Sequence, residues 1–218
     1  MSRISSQGTI LLIGADVVAS PPTISSATKA KPCVLTVSVA TSISVGSIVI
    51  PRGTGFKSLD DQAFHVGAVT ATDVTLTDSD TTGEQAATVA AGATLDVAVM
   101  EELCRSTLTV NGPAGATIDV TTLCDEAHRI VSGLPAIGTW AANGFYDYQD
   151  TVLHKARDLY RSGETVPIQA IFRDQSGISF MGTVNTYDIT LGINAAVTTN
   201  IGGNVDGLVN MFPPPAGP

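Results

Sequence analysis

A mainly β fold is predicted, and three observations carry that expectation. The 218-residue chain has 14% charged against 44% hydrophobic side chains, enough apolar material for a proper core. Its 21 glycines, with abundant Thr, Val, Ser and Ala, suit strands joined by turns and nearly exclude a mostly helical protein. Short β-branched runs recur along it, separated by Gly, Pro and Asp.

The first element is Thr9-Ile10-Leu11-Leu12-Ile13-Gly14-Ala15. The run is short for a signal peptide and Asp16 interrupts it, so it reads as a buried strand. Residues 19–32 hold three prolines among small polar residues and read as a connecting loop. From Cys33 to Val99 a strand-and-turn grammar describes a small all-β unit: Val34 to Val39, Ser47 to Ile50, a break from Pro51 to Gly55, Phe64 to Val66, Asp73 to Leu76, and Thr94 to Val99. Glu101, Glu102 and Arg105 form a polar passage; Thr107 to Val110 then meets the turn signal Asn111-Gly112, and Ile118-Asp119-Val120 resumes a strand.

Thr121 to Val131 reads as a short amphipathic helix, with Thr122 and Asp125 as a capping box, Leu123, Ala127, Ile130 and Val131 as its apolar face, and Gly133 as its stop. A strand is expected over Gly138 to Phe145. A second helix is expected from Thr151 to Ser162, where Asp150 caps, Gly163 stops, and Val152, Leu153, Ala156, Leu159 and Tyr160 repeat at helical spacing. Thr165 to Phe172 and Gly177 to Leu191 form a hairpin turning at Asp174 to Gly177, and a last run lies around Ile193 to Ile201. The segment Phe212 to Pro218 has no core-forming capacity and reads as a free or partner-bound tail.

The net charge of −9 is spread along the chain: about +2 over residues 1–32, −5 over 33–98 and −6 over 99–218. Such a chain is ill suited to gripping nucleic acid, which needs Lys and Arg against phosphate. Cys33, Cys104 and Cys124 form no CxxC pair and point to a reducing compartment. No apolar run approaches the ~18 residues of a membrane-spanning helix.

Chemistry-bearing patterns are sparse. No GxSxG elbow and no GxxxxGK[ST] loop occurs, and Gly53-Thr54-Gly55 lacks the third glycine and the following helix of a dinucleotide fingerprint. His65, His128 and His154 have structural or surface readings on a strand and two helices. Cys124 and His128 share a helix face at i and i+4, but two ligands do not make a zinc site. Asp78 to Gly83 imitates the opening of an EF-hand loop, yet the twelfth position is Val89 and the segment reads as a polar turn. Asp60-Asp61 and Glu101-Glu102 are sequence neighbours, which a strand would direct to opposite faces, so they read as solubilising charge. No catalytic residue, metal or cofactor is implied.

The segment Ile118 to Arg129, then Gly138-Thr139-Trp140, Gly144-Phe145-Tyr146-Asp147, Leu159 to Pro167 and Thr183 to Ile189, follows an order of parts that resembles the bacteriophage tail tube (major tail) protein family. Members similarly place a DVT-x-L segment, a GTW-like strand ending in aspartate, a helix running into Ser-Gly-Glu, and a closing hairpin. Gly8 to Ile13 resembles the family's first strand. Residues 33–98 depart from the minimal pattern and look like an inserted small β-barrel module of the kind seen in several phage structural proteins.

The resemblance implies two packed sheets flanked by one or two short helices, a split core of residues 1–32 and 99–218, the insert 33–98, and a Pro-rich tail over 212–218. It implies a non-enzymatic virion protein, made in the host cytoplasm. Copies would form rings, usually six-fold, that stack into the hollow tube through which DNA passes. Expected partners are further copies and other tail proteins: tape measure, terminator, baseplate and, where the tail has one, sheath. Asp174 and Asp188 are the candidate lumen-lining acids, and the insert is expected to decorate the outside and to be dispensable for assembly. Two other readings stay open: a tail-completion or baseplate ring protein, and a monomeric adhesive or carbohydrate-binding module, which the single Trp140 and four Tyr support poorly.

Overall fold

The computed structural model describes residues 9–40, 42–85, 88–112, 115–119, 130–135, 137–193 and 195–214. Its strands are β1 (Ile10–Val17), β2 (Ile24–Ala27), β3 (Cys33–Val37), β4 (Ile48–Arg52), β5 (Phe64–Val69), β6 (Asp73–Leu76), β7 (Thr94–Glu102), β8 (Thr107–Asn111), β9 (Gly115–Asp119), β10 (Ile130–Pro135), β11 (Gly138–Phe145), β12 (Thr165–Ile171), β13 (Gly177–Thr183), β14 (Thr186–Thr190) and β15 (Thr198–Phe212), with one helix, α1 (Thr151–Ser162). The fold is thus mainly β with a single described helix, in keeping with the composition. All strands but β9 and β10 join one antiparallel path, β2-β3-β6-β5-β4-β7-β1-β12-β13-β15-β11-β8, with β14 also on β15, and the sheet curls into a half-barrel. Among the described residues no helix is long and apolar enough to cross a membrane.

Helix α1 forms where every local signal agrees. The Asp150 carboxylate accepts from the backbone of Val152 (2.9 Å) and Leu153 (3.1 Å), satisfying donors that the first turn would otherwise leave open. Gly163 ends the helix at φ 70°, a left-handed cap that an L side chain resists, and its N–H reaches the Leu159 carbonyl at 2.9 Å. Leu153, Ala156 and Leu159 are the buried stripe. They close the concave side of the sheet with Leu11, Ile13, Trp140, Ala142, Ile168, Phe180, Ile201 and Val205. The Trp140 indole N–H is satisfied by the Thr183 carbonyl at 3.1 Å.

A second cluster of buried residues runs from Ile24 to Val97 and includes Leu35, Val49, Phe56, Phe64, Leu76 and Leu95. Ile48, Ile50 and Ala63 of this region instead face Met181 and Ala98. The insert therefore sits against β13 and the second half of β15. The side chains of Ser179 (3.2 Å) and Asn210 (2.9 Å) both donate to the Ala63 carbonyl. The backbone N–H groups of Leu208 and Met211 donate to Gln62 and Asp78, each at 2.9 Å.

Several expectations need correction. Phe212 is not tail: it is the last residue of β15, buried, with its ring stacked on His65 at a centroid distance of 4.0 Å. Asn, Gly and Asp in β15 conceal a fifteen-residue strand, because its pairing partners supply what propensity does not. Phe212, Met181 and Asn210 are partly covered by residues of the insert, so its removal would uncover them. Residues 19–32 contain β2, an edge strand, where the nearby prolines cost no ladder bonds. Pro51 lies within β4 rather than breaking it, opposite Leu95. Glu101 and Glu102 belong to β7. Of the predicted helix Thr121 to Val131, Ile130 and Val131 are instead in β10, paired with Asp119 and Ile118, as β-branched residues favour; residues 120–129, with Cys124 and His128, lie outside the described residues. The Asn111-Gly112 turn does not join a paired hairpin, because β8 pairs with β11 and β9 with β10.

Candidate assembly surface

The groups that could carry chemistry are dispersed. His154 makes a 2.7 Å bond from its ring Nε2 to the Tyr148 carbonyl and meets the Tyr148 ring edge-on. His65 is held against Phe212, and burial lowers its pKa. Cys33 is buried with its thiol on the Thr28 carbonyl at 3.3 Å, and burial raises its pKa away from reactivity. Asp80 accepts from the backbone (3.1 Å) and hydroxyl (2.6 Å) of Thr82, while Asp78 accepts from the Met211 N–H, so the segment Asp78 to Gly83 makes a polar turn tied to its neighbours. Among the described residues no group of three His, Cys, Asp or Glu is placed to hold a metal ion.

The convex face is more informative. Across β14, β15, β11 and β8 the antiparallel register sets Asp188, Asn200, Asn143 and Thr107 in one row. The next row is Thr186, Gly202, Ala141 and Thr109. Directly paired residues share a face, so these rows lie opposite the buried Trp140, Ala142 and Ile201. The rows contain no Lys or Arg and a single acid, Asp188. The backbone here is tight: a side chain at Gly203 would collide with the Thr183 carbonyl, so only glycine lets β15 pass this close.

The two candidate lumen-lining acids are not brought together. Asp188 is exposed on this face, whereas Asp174 lies at the turn between β12 and β13, accepting from the backbone (3.1 Å) and hydroxyl (2.6 Å) of Ser176, which lower its pKa. Asp188 stands opposite Asn200 and the β12–β13 turn opposite Phe212, so about 40 Å of β15 separates them.

Both edges of this four-stranded section are open. Among the described residues β14 pairs only with β15, and β8 only with β11. At one end of the section β8 begins, β11 and β14 finish and β15 starts. Arg105 holds that end: its buried guanidinium donates from Nη1 to the Phe145 carbonyl at 3.1 Å and lies 3.9 Å from Asp150, and burial lowers its pKa. Sequence reading passed over Arg105 as loop polarity, and nothing in its local pattern marks it as buried.

No family model and no curated protein matches this chain. Among solved structures it is similar to a chain in the virion of a native gene transfer agent particle, with 17% identity, a TM-score of 0.44, and coverage of 52% of this chain and 89% of that one. It is also similar to a chain in the tail of an empty gene transfer agent particle refined with C6 symmetry, with 17% identity, a TM-score of 0.44, and coverage of 52% and 87%.

Proposed function

We propose that this protein is a structural subunit of a phage-like tail, whose copies close side by side into rings that stack into a hollow tube for the passage of DNA. The observation that carries the reading is the four-stranded section β14-β15-β11-β8, open at both edges and presenting a cation-free, mostly Thr and Asn face. An open strand edge is an aggregation hazard in a monomer. Joining β14 of one copy to β8 of the next removes both edges, and this head-to-tail contact closes at the right rotation.

The dimensions suit a conduit. Four strands per copy at ~4.8 Å spacing and a ~40° tilt add about 8 Å of barrel diameter, so six copies enclose a backbone ring of about 48 Å. Turned inward, this face offers phosphate no Lys or Arg, and Asp188 repels it, so DNA passes without a holding point. On this reading Asp188 is lumen-facing and Asp174 is not. The insert 33–98, packed on the convex side of the opposite wall, decorates the outside, and the remaining tail components are met at the tube's two ends. The subunit works through its surfaces and is not an enzyme.

Negative-stain electron microscopy of the purified, concentrated chain, with its mass from light scattering, tests the reading. Rings or hollow filaments are expected. A protein that stays monomeric at every concentration, and also when seeded with a tail extract, overturns it.

A further inference from the structure

The end of the four-stranded section held by Arg105 carries an unusual concentration of exposed apolar side chains. Phe145 is 68% exposed, Tyr148 74%, Leu191 76% and Ile193 97%. They share one end because Phe145 pairs with Thr198, Thr190 pairs with the same residue, and the Tyr146 N–H donates to the Val197 carbonyl at 2.9 Å. The connection from Leu191 to Val197 contains no charged residue, whereas surface loops are ordinarily polar. The four side chains together present roughly 500–600 Å² of apolar surface, at the top of the range for a patch on a monomer and most of the ~800 Å² per partner of a standard interface.

We infer that this rim is the stacking surface on which a second copy from the next ring docks. The inference rests on the ring reading above and names the partner of one specific end. If β14 and β8 join copies laterally, the two ends of these strands are what each ring turns toward its neighbours. The end opposite the rim is where β8 finishes and β11 starts, with Ile137 exposed and the β9–β10 hairpin leaving the sheet between them. Rim and hairpin end therefore meet in a stack of identical rings, a contact that repeats indefinitely because the two surfaces differ. The uncharged Leu191 to Val197 connection suits a long-lived contact, since it buries no ion that lacks a partner, while the exposed Asp147 lies beside it between Phe145 and Tyr148.

The test compares the full chain with the double variant Leu191→Asp, Ile193→Asp, using negative-stain microscopy and sedimentation velocity, with circular dichroism as a check of folding. Filaments from the parent chain and discrete single rings from the variant are expected. Filaments from both overturn the inference while leaving the ring reading standing. A parent chain that forms only single rings, or a variant that falls to monomers, also overturns it, the second because the rim would then be closing rings rather than stacking them. A parent chain without rings overturns the ring reading and this inference with it. If the double variant does not fold, Ile193→Asp alone carries the comparison, since a side chain 97% exposed has almost no intrachain packing to lose.

Discussion

The two halves of β15 start from similar material and end differently. Thr198 to Val205 and Asp206 to Phe212 are both interrupted by Asn and Gly, and both lie on the same curled sheet. The first half is flanked by β14 and β11, and Thr198 and Asn204 stand exposed on its convex face. The second half is paired with β13 on one side only, and the insert supplies the rest: Gln62 and Asp78 take the N–H groups of Leu208 and Met211, Ala63 receives Asn210, and His65 covers Phe212. Backbone donors must be satisfied in either case, by a strand or by side chains. Where strands do it, the face stays free for a partner; where side chains do it, a second layer covers the strand.

The largest effects are expected where that cover is removed. Phe212→Ala deletes a buried ring at the junction and lowers the unfolding free energy by about 3 kcal/mol, measured by urea denaturation. Asn204→Ala, in the exposed half, changes it by less than about 0.5 kcal/mol. If both variants behave alike, the distinction between a covered and an open half is wrong. Asn210→Ala is next: it leaves the Ala63 carbonyl with the Ser179 hydroxyl alone and costs about 1–2 kcal/mol by the same measurement.

The covered half should also respond to acid where the open half does not. Burial lowers the folded-state pKa of His65 below its ordinary 6.5, so below that pH the unfolded chain binds the proton more readily than the native one. The stabilisation is fully present above about pH 6.5 and declines as pH falls toward the lowered native value. His65→Phe keeps the stack on Phe212 without a titrating group. The parent chain is expected to lose more melting temperature between pH 7 and pH 5.5 than this variant; equal losses would show that the junction does not sense the proton.

The same contrast explains what was legible in the sequence. Helix α1 was readable to the residue, because Asp150, Gly163 and the Val152 to Tyr160 stripe all act within a few positions of one another. Strands β3 and β6 were readable because Val, Leu and Thr alternate with the pleat. The second half of β15 was not: its Gly207, at φ 80°, and its two polar residues, Asp206 and Asn210, read as loop, and the insert residues that satisfy it lie 133 to 147 positions away. Nor was the rim. An isolated Leu191 or Ile193 looks like core in sequence, and only the strand ends reveal that nothing among the described residues covers them. Asp188 and Asp174 were indistinguishable as acids on one late hairpin until the register placed one on the open face and the other at a turn.

The smallest expected effect on stability falls on Asp188, and for that reason it sharpens the comparison most. The carboxylate is exposed and makes no ion pair among the described residues, so Asp188→Lys changes the unfolding free energy by less than about 0.5 kcal/mol. If the open face does line a channel, the change acts elsewhere. Each ring of six copies exchanges six negative charges for six positive ones, all directed at the passing phosphates, and converts a repelling wall into a set of counterion-releasing contacts. Tubes of the variant should then retain short duplex DNA at low salt and release it as salt rises, while parent tubes retain none, a difference that co-sedimentation detects. The same substitution at Asp174 supplies the control, because that side chain lies about 40 Å of strand away, outside the open face. Retention by the Asp188 variant and not by the Asp174 variant separates a lumen from an acidic surface in general; retention by both, or by neither, removes the assignment of this face to the channel.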